Sequence, residues 1–416
     1  MGFQQGLSGL NAATKNLEAV GNNVANSSTV GFKQSQVQFS DIYANTLSGS
    51  GSSDTGIGVQ IARVAQLFSQ GNVTASANPL DMAISGNGFF RMSHNGAITY
   101  TRNGQFQLDK QGYIVNASDE RLTGFLADAQ GVIQSGAPTD ILINGGDSAP
   151  QATSSYDITL KLDSRRGDLT VAGFNPDDPA TFSDSTSVPV YDSLGNSHTL
   201  RTFYIKTAPG QWSVMATNDG VPIGYDPTAT PPDAPAAIGT MTFNSGGVLT
   251  GTTPNPMVAA MAVNTGAATP FNISIDYTGT QQNAGDFGVS RQFQDGFASG
   301  SLSGFNVSSD GTIVGNYTNG RSTVLGQVVL TNFANPNGLQ NIGGNQWVET
   351  ADSGVPLTGT PGSSGLGSVQ SSRVEESNVD LTAELVNMIT AQRYYQANAQ
   401  TIKTQDQIMQ TLLNLR

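Results

Sequence analysis

Apolar residues recur at two different periods along this 416-residue chain, and the change of period divides it. Phe3, Leu10, Leu17 and Val24 repeat every seven residues with Leu7, Ala13 and Val20 beside them, which predicts one apolar stripe on an N-terminal helix. Leu381, Met388, Tyr395, Ile402 and Met409 repeat the same way near the other end, flanked by Leu385, Ile389, Ala399 and Leu412. Both rows suit a coiled-coil seam. Ser377 with Asp380 three residues on reads as a capping box ahead of the second helix. The opposite faces carry amides such as Gln392, Gln396 and Gln407, with few charges.

The long middle follows a period of two. Tyr156, Ile158, Leu160 and Leu162 alternate with polar residues, as do Phe271, Ile273, Ile275 and Tyr277, so each set lies on one face of a strand. From Met82 to Asn116 short runs are separated by turns at Asn87-Gly88, Asn95-Gly96, Asn103-Gly104 and Gln111-Gly112, which predicts a meander of antiparallel strands. Similar turns at Asp295-Gly296, Asp310-Gly311 and Asn319-Gly320 precede an apolar strand over Val324–Leu330, and 297–370 is expected to rejoin the sheet begun near residue 71. The proline-rich stretch Tyr225–Pro235 reads as a loop, and Ser48–Ser53 and Gly359–Gly367 as flexible linkers.

The predicted fold is therefore mainly β with terminal α-helices: nested β domains of sandwich or barrel type, with N- and C-terminal coiled-coil helices. Residues 1–30 and 375–416 are assigned to the terminal helical domain, and 31–70 and 358–374 to connecting segments. An inner β domain takes 71–145 and 297–357, and an inserted outer β domain takes 146–296. This nesting brings both ends to one side. An isolated terminal helix does not repay the cost of ordering its backbone, so the ends are expected to fold on self-association.

Composition narrows the function. Only 12% of residues are charged, 49 are glycine, and the formal net charge is −13, with no basic cluster for a nucleic-acid backbone. The absence of cysteine excludes disulfides and thiolate metal sites. No basic start followed by a continuous apolar run marks a secretory signal, and no stretch reaches the length of a membrane span, so a dedicated export machine or a cytoplasmic location is expected.

Candidate chemistry is sparse. His94 and His198 stand on unrelated segments and read as turn or surface residues. Gly86-Asn87-Gly88 runs into Phe89-Phe90 and suits a hairpin better than a phosphate. The adjacent acids Asp119/Glu120 and Asp177/Asp178 read as solvated loop residues rather than a catalytic pair. Trp212 and Trp347 read as core. The expectation is a non-enzyme with no cofactor and no metal.

Three long segments carry a family resemblance. SGLNAATKNLEAVGNNVANSSTVGFK, with Leu10, Asn11, Leu17, Asn22, Asn23, Ala25, Asn26, Gly31, Phe32 and Lys33 on the pattern, resembles the N-terminal signature of the bacterial flagellar axial family of rod and hook proteins. NPLDMAISGNGFF with YTRNGQFQLDKQGYIVN is similar to that family's core β motif, and ESNVDLTAELVNMITAQRYYQANAQTIKTQDQIMQTLLNLR to its C-terminal helix. DGTIVGNYTNGRSTVLGQVVLTNFANPNGL and the large insert resemble hook subunits more than distal rod subunits; Arg373 replaces the family's usual small residue.

The resemblance implies a homopolymer: a curved helical tube, lined by the terminal helices, that acts as a universal joint carrying torque from rod to filament. It further implies export unfolded through the flagellar type III apparatus without a cleaved signal peptide, an extracellular, basal-body-associated location, and contacts with rod, hook-cap and hook-filament junction proteins. The alternatives are a distal rod protein and, in a different class, a cell-surface β-rich adhesin. The assembly interface is assigned to Phe3, Leu7, Leu10, Leu17, Val20, Val24, Leu381, Leu385, Met388, Ile389, Tyr395, Ile402, Met409 and Leu412.

Overall fold

The computed structural model describes residues 2–42, 56–128, 130–143, 146–224 and 235–414. Two helices, α1 (Gly2–Ala25) and α2 (Leu381–Asn414), bracket a chain that is otherwise strand and turn. Two units separate by their internal contacts: residues 1–145, 303–316 and 322–416 in the first, and 146–302 with 317–321 in the second. The predicted linker Ser48–Ser53 and nearly all of the loop Tyr225–Pro235 lie outside the described residues.

In the first unit, early and late stretches of chain interleave in one sheet. Ser322–Val328 pairs with Arg121–Leu126, which pairs with Phe89–His94, and Gln346–Val348 pairs with Ala97–Thr101. Phe89, Tyr100, Phe333 and Trp347 fill its core edge to face, and the Trp347 indole donates to Oε1 of Gln66 at 2.6 Å. The 322–332 run does not continue as one strand: Leu330–Asn332 leaves the Arg121–Leu126 partner and pairs instead with Phe89–Phe90. A separate two-stranded ribbon, β1 (Ser35–Ile42) with β2 (Gly58–Gln66), lies against α1.

The meander over Met82–Asn116 is only partly formed. Asn95-Gly96 alone of the four predicted pairs holds both residues at positive φ, 51° and 88°, as a type I′ hairpin turn requires. Met82–Ser85 pairs instead with Ser368–Ser371, far along the chain. Gly104 serves a close approach: a Cβ there would fall 1.6 Å from the Met82 carbonyl oxygen. Gly359–Gly367 is not a flexible linker either. It begins in a strand, Leu357–Gly359, and turns twice at Gly362 and Gly365 around the buried Leu366.

The second unit is a β-sandwich. Ser155–Asp163, Phe271–Asp276, Met257–Met261, Gln281–Asn283 and Gly288–Gln294 make one layer, and a six-stranded sheet centred on Ser197–Ala208 and Gln211–Asn218 makes the other. Both period-two sets point inward: Tyr156, Ile158, Leu160, Leu162, Ile273 and Ile275 share a core with Leu200, Tyr204, Trp212 and Met241. The six-stranded sheet is also covered on its other face, where Phe203, Ile205 and Met215 meet Phe174 and Phe182. That double coverage explains the continuous apolar run Phe203-Tyr204-Ile205.

Candidate assembly interface

The two helices lie antiparallel and meet along a row of small residues. Gly6 faces Ile402, Gly9 faces Asn398, and Asn23 reaches Glu384. A Cβ on Gly9 would stand 2.6 Å from the Asn398 side chain, so the absence of a side chain sets how closely the backbones approach. Gly6, Ala13 and Val20 repeat every seven residues and are buried, with Asn23 one turn on. On α2 the inward row is Glu384, Met388, Ala391, Asn398 and Ile402. The seam takes only the Ala13 and Val20 edge of the α1 stripe and leaves its larger members aside, because glycine at positions 6 and 9 lets the facing side chains of α2, Ile402 among them, come close to the α1 backbone.

The predicted interface residues therefore divide. Val20 is buried within its own chain. Leu10, Leu17, Val24, Met388 and Ile402 are half-buried. Phe3, Leu7, Leu381, Leu385, Ile389, Tyr395 and Met409 stay exposed even though the helices already pair. The side chain of Leu412 lies outside the described residues. Helix pairing thus uses one row of α1 and leaves larger apolar side chains facing outward; each terminal helix finds its partner within the same chain, which corrects the expectation that the ends fold only on self-association. Val386, Tyr394 and Ile408 are exposed on the same helix and were missed, because none falls on the heptad that defined the row.

Polar residues fix the base of the pair. Asp380, not Ser377, caps α2: its Oδ1 accepts the backbone N–H groups of Thr382 and Ala383 at 2.9 and 3.1 Å, whereas Ser377 Oγ accepts only Val379 N–H. Asn23 holds β1 reciprocally, donating to the Ser35 carbonyl and accepting its N–H, both at 2.9 Å. Asn378 Oδ1 accepts Gln34 N–H at 2.8 Å. Beneath them Glu375 takes Lys33 Nζ at 2.6 Å on one oxygen and Arg102 Nη1 at 3.2 Å on the other, all three side chains out of solvent. Burial pushes the Lys33 ammonium below its ordinary value, against the pull of Glu375. Gly31 belongs to the same junction; its φ is +72° and a Cβ would strike the Arg102–Asn103 backbone.

The candidate chemistry elsewhere is structural. His94 is exposed beside the Asn95-Gly96 turn. His198 is not a surface residue: it is buried, with Nδ1 2.7 Å from Asp219 and Nε2 3.4 Å from Asp192. Spacing hid this, since Asp219 reaches it only through the pairing of adjacent strands. Glu120 is buried rather than solvated and accepts from Asn116, Thr99 and Gln346, while Asp178 caps a short 3-10 turn. Trp212 and Trp347 are both core. Among the described residues no group of three or more His, Cys, Asp or Glu could hold a metal, and no helix is long and apolar enough to cross a membrane.

Sequence-family models place this architecture in a class. The flagella basal body rod protein model matches residues 3–33, the flagellar hook protein FlgE/F/G D1 domain 83–161, the flagellar basal body protein FlaE D2 domain 161–297, and the flagellar basal body rod FlgEFG protein C-terminal model 370–415. The class is the axial structural proteins of the bacterial flagellum. The flagellar hook protein FlgE of Salmonella typhimurium is 42% identical over the whole of both chains, and that of Brucella suis 33% identical over 100% of this chain and 98% of the relative. A crystal structure of Helicobacter pylori flagellar hook protein FlgE2 shares the fold at a TM-score of 0.51 and 14% identity, covering 71% of this chain and 99% of that one. The chain belongs to the flagellar hook protein FlgE family.

Proposed function

We propose that this hook structural subunit polymerises through the outward apolar residues of its helix pair. The observation that carries the reading is the exposure of Phe3, Leu7, Leu381, Leu385, Ile389, Tyr395 and Met409 after the seam between α1 and α2 has closed. Exposed apolar side chains concentrated on one element mark an interaction surface. Different faces of the pair meeting in neighbouring copies make a contact that does not close, and such contacts build open helical polymers.

In this reading the helix pair of residues 1–30 and 375–416 lines a curved tube, and the segments 31–70 and 358–374 connect it to the β domains. The tube acts as an extracellular universal joint that passes torque from rod to filament, and the subunits arrive unfolded through the flagellar type III apparatus. Rod, hook-cap and hook-filament junction proteins are its neighbours, and no catalysis is assigned. Its single test is electron microscopy of purified subunits under polymerising conditions. Curved hollow fibres are expected from the full chain, and none from a chain lacking residues 1–30 and 375–416.

A further inference from the structure

A groove of about 320 Å3 runs beside the helix pair, between α1, β1 and α2. Its walls include Val20, Val37, Phe39 and Tyr394, and Glu384 lies in its lining. Glu384 is 2% exposed, and its partners are all amides: Gln34 Nε2 donates at 2.6 Å, Asn23 and Asn387 each at 3.5 Å. No ion pair among the described residues includes it. Glu375, the other deeply buried glutamate of this junction, is met by two cations. A buried carboxylate held by amides and the first helical turn still lacks a neutralising charge, and a cation brought into the groove that Glu384 helps to line would meet it at short range.

We propose that a second copy of this chain seats the outward face of its α2 in this groove, with its Arg393 against Glu384. This rests on the polymerisation reading above. Arg393 is exposed and has no ion-pair partner among the described residues. It stands nine residues beyond Glu384, about two and a half helical turns, which puts the two on opposite sides of α2. One molecule cannot bring them together; two can. Val386 and Ile389, 58% and 52% exposed, lie on the Arg393 side and supply apolar surface for the groove walls. Lys403, the other exposed cation of α2, is flanked by Gln396, Gln400 and Gln407 and brings no such surface. A planar guanidinium also suits a carboxylate bidentately. Because the groove and the arginine face lie on different sides of one helix, each copy can give and receive, and the chain of contacts stays open.

The test compares the full chain with Arg393→Glu, Glu384→Arg and the double exchange, reading sedimentable polymer and, by circular dichroism, the fold of each monomer. Each single change is expected to abolish polymer, and the exchange to restore it. Should Glu384→Arg fail to fold, the chain's lack of cysteine allows a second measurement: Gln36→Cys subunits mixed with Val386→Cys subunits should cross-link as heterodimers within polymer treated with a short bis-maleimide. If the parent chain polymerises but Arg393→Glu assembles equally well, or the mixed cross-link does not form, the groove contact is overturned and the polymer reading stands. A parent chain that forms no polymer overturns both.

Discussion

Nζ of Lys33 lies 2.6 Å from Oε1 of Glu375 although the two residues are 342 positions apart, and neither side chain reaches solvent. The pair joins the segment leaving α1 to the segment entering α2. Arg102 takes the other carboxylate oxygen, so two cations share one anion.

The shared anion makes the three residues unequal. Glu375→Gln leaves two buried cations facing one another and should destabilise the first unit by about 3–5 kcal/mol. Lys33→Met leaves the Glu375–Arg102 pair intact and should cost only about 1–3 kcal/mol. Urea unfolding of the two monomers, followed by circular dichroism, checks the order. An equal loss would mean that Arg102 does not depend on the carboxylate.

The helix seam gives a second contrast between two glycines of α1. Gly9→Leu would push into Asn398 and should destabilise the pair by about 1–3 kcal/mol, the usual cost of overpacking. Gly21 has nothing within 4 Å of a built Cβ and ordinary φ, so Gly21→Ala should stabilise by about 0.5–1 kcal/mol through helix propensity. Thermal melts of helical ellipticity that move in opposite directions are the expected result.

These two glycines also show what was legible in the sequence. The strands of the second unit were, because Tyr156 to Leu162 and Phe271 to Tyr277 face water on one side and a core on the other, and a period of two records that. The helices were legible for the same reason. Which face of each helix pairs inside the molecule was not: large apolar side chains dominate a periodicity reading, while Gly6 and Gly9 add nothing to it and still set the contact. Pairings such as Met82–Ser85 with Ser368–Ser371 were hidden too, since both short runs are compatible with many partners. The His198 cluster was hidden because its carboxylates are held by turns at Asp192 and Asp219 that leave no motif.

That cluster predicts a pH dependence. Burial, the largest single influence, pulls the imidazole of His198 down, but hydrogen bonds and charge from Asp219 and Asp192 together raise it above 6.5. Two ring nitrogens facing two carboxylates can both donate only when the ring is protonated. The folded form therefore binds the proton more tightly than the unfolded chain does. Its contribution is complete below about 6.5 and is lost as pH rises through the raised folded value. Asp192 also accepts Asn196 and Thr265, so the proton ties three loops of the sandwich. Unfolding followed by Trp212 fluorescence, in a Trp347→Phe background, should show a midpoint that falls from pH 6 to pH 9. His198→Gln should flatten that slope.

The last contrast separates folding from assembly on one helix. Ile402 is half-buried in the seam, its Cγ1 3.0 Å from where a Gly6 Cβ would stand, while Ile389 is 52% exposed. Ile402→Asp places a charge between the helices and should loosen the pair by about 1–3 kcal/mol. Its polymer would fail because the helices part. Ile389→Asp changes a side chain already in water, so the monomer's helical signal and melting temperature should match the parent within error, yet the charge would have to be desolvated in any contact between copies. Polymer should be lost without loss of fold. Circular dichroism on dilute monomers and electron microscopy under assembling conditions, applied to both variants, distinguish the two routes. Normal fibres from Ile389→Asp would remove this residue from the interface.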